Sequence, residues 1–175
     1  MLAKIYRTLI RVGKIAGGAT FIFGIFFGAY QFYAAKIEYF EVKREKRIEQ
    51  SLSFFRQLNS DPFNRYRERF FKAFSKNKQL ISDSAVDESK LLDAVTHVIR
   101  QEDVETEILF LFDFFDGVYS CSNKNICDRE TTLLLFQDRA NEIYILLYQY
   151  IEVHRKAVGD DFAVGLEKIS KRRFD

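Results

Sequence analysis

The run from Ile15 to Ala35, IAGGATFIFGIFFGAYQFYAA, constrains this chain more than any other stretch. It contains no Asp, Glu, Lys, Arg or His, and Lys14 and Lys36 bracket it. A helix rises about 1.5 Å per residue, so the run would reach roughly 31 Å, close to the ~30 Å hydrocarbon core of a bilayer. A cleavable signal peptide has a shorter apolar region, about 7–15 residues, and a small-x-small cleavage site. Here Ala34-Ala35-Lys36 sits among Tyr33, Ile37 and Tyr39 instead. Buried helices of soluble domains rarely lack charge over so long a run. Tyr30, Tyr33, Tyr39 and Phe40 gather at one end, as amphipathic rings do at the headgroup layer. The run predicts one transmembrane helix over residues 15–35.

A stripe of small residues begins just ahead of that run and passes down it. Gly13, Gly17, Thr20, Gly24 and Gly28 recur every three or four positions, the spacing that lets two backbones approach closely in lipid. A membrane-protein partner or a second copy of the chain is the expected occupant of such a face. Ahead of the run, residues 1–14 form a basic amphipathic segment with Leu2, Ile5, Leu9 and Val12 on one face and Lys4, Arg7, Arg11 and Lys14 elsewhere. Lys and Arg counts on the two sides of the span are nearly equal, so the positive-inside rule leaves its orientation open. Net charge puts the N-terminus in the cytoplasm, whereas the basic stretch after the span favours the cytoplasmic leaflet for the domain.

Beyond the span, one proline in the chain and abundant Leu, Ile, Phe, Lys and Glu predict an all-α domain. Residues 36–78 carry twelve Lys and Arg against six Asp and Glu, and residues 79–175 eleven against nineteen. Glutamates mixed through the basic half, and its place beside a membrane, argue against nucleic-acid binding. A juxtamembrane helix is expected over 36–60, stopped by Asn59-Ser60-Asp61-Pro62, with a helical bundle over 61–175. Pro62 opens a helix to about Phe74. Lys76 to Asp87 reads as a polar loop, and Ser84 or Asp87 caps the helix carrying Leu91, Leu92, Val95, Val98 and Ile99. The two central helices come from Val104–Tyr119 and Thr131–Val153. Their charges, Asp113, Asp116, Asp138, Arg139 and Glu142, exclude a second span, since a charge at mid-bilayer costs about 2.5 kcal/mol or more.

Asp113 and Asp116 stand three apart and share one side of a helix, as paired catalytic carboxylates or metal ligands would. His97 and His154 have no spaced partner, no phosphate-binding glycine loop is present, and no zinc spacing occurs, so neither a cofactor nor a metal is expected. The favoured reading is structural: carboxylates in an apolar helix need a cation or donor, and Arg139 and Arg155 are the candidates. Asp128 is placed to cap the helix that begins near Arg129. Cys121 and Cys127 flank a polar loop whose length permits a disulfide. The bridge is expected in an oxidising compartment, and free thiols in the cytoplasm.

Phe114-Phe115-Asp116, Val118, Cys121, Ile126-Cys127-Asp128, Phe136 and Arg155, together with the anchor and the EKRIEQSLSFFRQLNSDP segment, resemble an uncharacterised family of bacterial single-pass membrane-anchored helical proteins. That resemblance implies architecture and a bacterial inner-membrane location. It brings no activity with it. The resulting expectation is a non-enzymatic protein that touches lipid and acts through protein contact, as an accessory or scaffold subunit of a membrane assembly. The alternatives are a membrane-tethered stress or phage-defence sensor and, third, an enzyme using Asp113 and Asp116.

Overall fold

The computed structural model describes the backbone of residues 2–171 and the side chains of residues 27–171. Seven helices follow in order: α1 Leu2–Leu58, α2 Phe63–Lys76, α3 Lys78–Ser84, α4 Glu88–Glu102, α5 Glu105–Asn123, α6 Arg129–Val158 and α7 Val164–Ser170. No strand occurs among the described residues, so the chain is all-α. It divides into two units, residues 1–45 and residues 46–175.

The first unit is helix throughout its described length. Phe27, Tyr30, Phe32, Tyr33, Ile37, Tyr39, Phe40 and Val42 are all exposed, Phe32 to 75%. A β-carbon added at Gly28 would meet nothing within 4 Å. Among the described residues no helix is long and apolar enough to cross a membrane. Most of the expected span falls on residues 15–26, whose side chains lie outside the described set. So do Gly13, Gly17, Thr20 and Gly24 of the small-residue stripe, and the basic segment 1–14.

The second unit is a bundle closed around α5 and α6. Helix α1 ends where Asn59 turns its side-chain Nδ2 back onto the Phe55 carbonyl at 2.8 Å, and the cis Asp61–Pro62 bond leads into α2. Pro62 is tolerated there because the first amides of a helix have no internal acceptor. Asp87 caps α4, its carboxylate accepting from the amides of Ser89 at 2.9 Å and Lys90 at 3.2 Å. The segment expected as a loop before it contains α3. That helix buries none of its residues, which explains why it lacks an apolar signature in the sequence.

The core takes one face from each long helix. Phe70, Val95, Val98, Ile108, Leu111, Phe115, Phe136, Ile143, Leu147, Ile151, Leu166 and Ile169 are all under 2% exposed. Each such side chain contributes about 1.5–3 kcal/mol by leaving water. Phe114 joins four elements, its ring lying 6.0 Å from Phe54 of α1, 5.2 Å from Phe63 of α2, 5.5 Å from Phe115 of α5 and 5.9 Å from Phe136 of α6. Glu107 is the one acid buried in the bundle among the described residues, 3% exposed. Its Oε1 accepts from Arg69 of α2.

Candidate functional site

The motif residues gather where α5 meets α7. Helix α7 crosses α5 so closely that a β-carbon on Gly165 would lie 2.5 Å from the Asp116 Cα and 2.5 Å from the Phe115 carbonyl oxygen. Glycine is therefore required by space. The approach lets the Gly165 amide donate to Asp116 Oδ1. Phe115, fully buried beneath it, fixes α5 in the core. The Phe114-Phe115-Asp116 run thus supplies a bundle-wide aromatic contact, a core anchor and a backbone acceptor for α7.

Asp113, Asp116 and Asp161 face a cavity of about 300 Å³ that Phe112, Phe162 and Ala163 help to wall. The α6–α7 connection that closes it depends on left-handed backbone, with φ of 128° at Gly159 and 57° at Ala163. Burial pushes the Asp116 carboxyl above the ordinary carboxylate range. The Gly165 hydrogen bond opposes that shift, while Asp113 and Asp161 add to it and Arg155 opposes it. Nearby, His154 is packed between rings, 3.9 Å from Tyr150 and 5.5 Å from Phe162, and its Nδ1 lies 2.9 Å from the Tyr150 carbonyl oxygen. Tyr150 is itself buried, and that burial, helped by the charge of Glu105, pushes its hydroxyl up to about 12.

The arginines do not pair with the α5 aspartates as the sequence predicts. Arg155 donates through Nε to the Phe162 carbonyl at 3.0 Å and through Nη1 to Glu152 at 3.1 Å, and it bridges Glu167 at 2.8 Å. It therefore ties α6 to α7 and to the connection between them. Burial raises the Glu167 carboxyl, but hydrogen bonds from Lys171 and Arg155 outweigh it and hold the group below its usual range. Arg139 is exposed and reaches only Glu142 on its own helix, at 3.4 Å. Asp113 is exposed and needs no buried cation. The backbone amide of Gly165 took the place at Asp116 that a cation was expected to fill.

A second cluster sits between α5 and α6. Cys121 and Cys127 are joined by a disulfide with their Cα atoms 5.2 Å apart. The amides of Ile126 and Cys127 both donate to the Cys121 carbonyl, at 2.9 and 3.0 Å. Asp128 caps α6, accepting from the Thr131 amide at 2.9 Å and the Thr131 hydroxyl at 2.7 Å. Its own amide reaches α1, donating to the Arg47 carbonyl at 3.1 Å and to Ser51 Oγ at 3.1 Å. Ser51 is fully buried, 3.1 Å from Thr132 Oγ1, and Thr132 donates to the Asp128 carbonyl at 2.7 Å. Sequence reasoning missed Ser51, Thr132 and Gly165. A serine inside an amphipathic helix and a glycine near a helix start carry no distinguishing signal.

Among the described residues no three His, Cys, Asp or Glu side chains stand close enough to hold a metal ion. The acidic cavity gathers three carboxylates, and burial gives Asp116 a raised affinity for its proton. The chain matches no protein-family model, no curated protein and no solved structure.

Proposed function

We propose that this chain is a single-pass, membrane-anchored helical protein of a bacterial inner membrane that works by contact rather than catalysis. It serves as an accessory or scaffold subunit, pairing with a membrane-protein partner or a second copy through the anchor helix. The observation that carries this reading is the uncovered apolar surface of α1. Eight large hydrophobic side chains between Phe27 and Val42 are exposed, and the first four, Phe27, Tyr30, Phe32 and Tyr33, belong to the run without charge that begins at Ile15. A contiguous apolar surface of this kind is rare on soluble monomers and marks lipid or protein contact.

The disulfide supports an outward-facing domain. Such bridges persist in oxidising compartments and are rare where thiol buffers keep cysteines reduced. That tips the orientation left open by the Lys and Arg counts: Lys4, Arg7, Arg11 and Lys14 stay in the cytoplasm, and the bundle lies on the far side. Alkaline carbonate extraction of bacterial membranes tests the anchor. The full chain should stay in the pellet, and a chain beginning at Lys36 should be released. Release of both forms contradicts the reading. Crosslinking in mild detergent tests the role, because a subunit keeps one partner at constant stoichiometry in unstressed cells.

A further inference from the structure

The loop that the disulfide closes is also the loop that holds α1. We propose that Cys121–Cys127 is a redox latch on the turns of α1 around Arg47 and Ser51, and that its reduction opens the polar clasp around Ser51 while leaving the apolar core closed. The inference goes beyond the anchoring role and holds whether or not residues 15–35 enter a bilayer.

The geometry runs through adjacent residues. Cys127 is fixed to Cys121 twice, by the disulfide and by its amide on the Cys121 carbonyl at 3.0 Å. The very next amide, that of Asp128, is the group that reaches the Arg47 carbonyl and Ser51. Asp128 stands between two holds, the bridge on its N-terminal side and the α6 cap at Thr131 and Thr132 on the other, so loop position helps to set how it meets α1. The rest of the α1 contact does not pass through the loop. Phe54 packs on Phe114, Phe55 on Phe136, and Leu58 is 2% exposed in the core. Loss of the bridge thus loosens the turns around Arg47 and Ser51 and spares those around Leu58.

The reaction needs a dithiol reductant. One thiolate of the reductant attacks a cysteine sulfur and forms a mixed disulfide with it, the S–S bond breaks, and the other cysteine leaves as a thiolate that takes up a proton. The second thiol of the reductant then displaces the first cysteine. Two electrons and two protons pass to Cys121 and Cys127, and the reductant departs as its own disulfide. Cys121 is 7% exposed and Cys127 2%, so attack waits on opening of the exposed 123–126 segment.

Amide hydrogen exchange on the full chain in detergent tests this, oxidised and after dithiothreitol, with the reduced state verified by a count of alkylated thiols. Peptides spanning residues 46–53 and 123–132 should exchange at least tenfold faster when reduced and recover on reoxidation. Peptides from α4 and α7 should change by less than twofold. Ser51→Ala, with the bridge intact, should show fast exchange over 123–132 already, and reduction should add little. Unchanged exchange in fully reduced protein overturns the proposal. So does a uniform rise across all helices, which would make the bridge a staple of the whole bundle.

Discussion

At the scale of single residues, Gly165 and Asp116 bring α7 directly against the backbone of α5. Gly165→Ala should destabilise the protein by about 1–3 kcal/mol, the usual cost of forcing atoms into a packed interface, and urea denaturation will read it. The added methyl meets α5 backbone, which cannot swing aside as a side chain would. Gly28→Ala, where nothing lies within 4 Å, should leave the urea midpoint unchanged. Asp116 has its carboxyl raised in the folded state, chiefly by burial, so the folded chain holds that proton more tightly than the unfolded one. Its contribution is complete below the ordinary carboxylate value and is lost as pH rises through the raised folded value. Asp116→Asn, which keeps an acceptor for Gly165, should therefore be as stable as the parent at pH 7 or more stable, with the gain vanishing in acid. Asp116→Ala removes the acceptor and should cost about 1 kcal/mol. Thermal melts from pH 3 to 8 distinguish the two. The sequence pointed to Asp116 but named the wrong partner, because a cation is the default counterpart of a carboxylate. A backbone amide brought near by a glycine leaves no such trace.

At the scale of elements, the helices that were legible are those with a buried face or a side-chain cap. Asp87 and Asp128 are capping residues in the sequence and in the structure, since each precedes an apolar run and offers its oxygen to amides two or three residues on. Helices α5 and α6 were legible from their density of Phe, Leu, Ile and Tyr. Helix α3 was not, because a helix that buries nothing shows no periodic apolar face. The polar part of the junction of α1 with α6 was equally silent, resting on Ser51, Thr132 and backbone atoms. Phe114 is the strongest test of how the elements cohere. It contacts rings on α1, α2 and α6, so Phe114→Ala should cost about 3–5 kcal/mol in chemical denaturation, with far-UV dichroism and tertiary signals melting together.

At the scale of the whole molecule, the chain combines a first unit with exposed apolar side chains and a second unit that is a disulfide-closed bundle. The Ile15–Ala35 run predicts a span because absence of charge over a bilayer's thickness is a coarse signal, but most of that run lies outside the described side chains. The side of the membrane has no such signal in the sequence, because Lys and Arg flank the run almost equally. The most direct measurement is labelling of an Asn141→Cys variant with a membrane-impermeant maleimide in intact bacterial spheroplasts. Position 141 is exposed on α6, and the native cysteines are bridged and buried, so the new thiol is the one that reports. Labelling before lysis is expected, on protein recovered in the membrane pellet. Labelling only after lysis, or recovery of the chain in the soluble fraction, would contradict an outward-facing, membrane-anchored bundle.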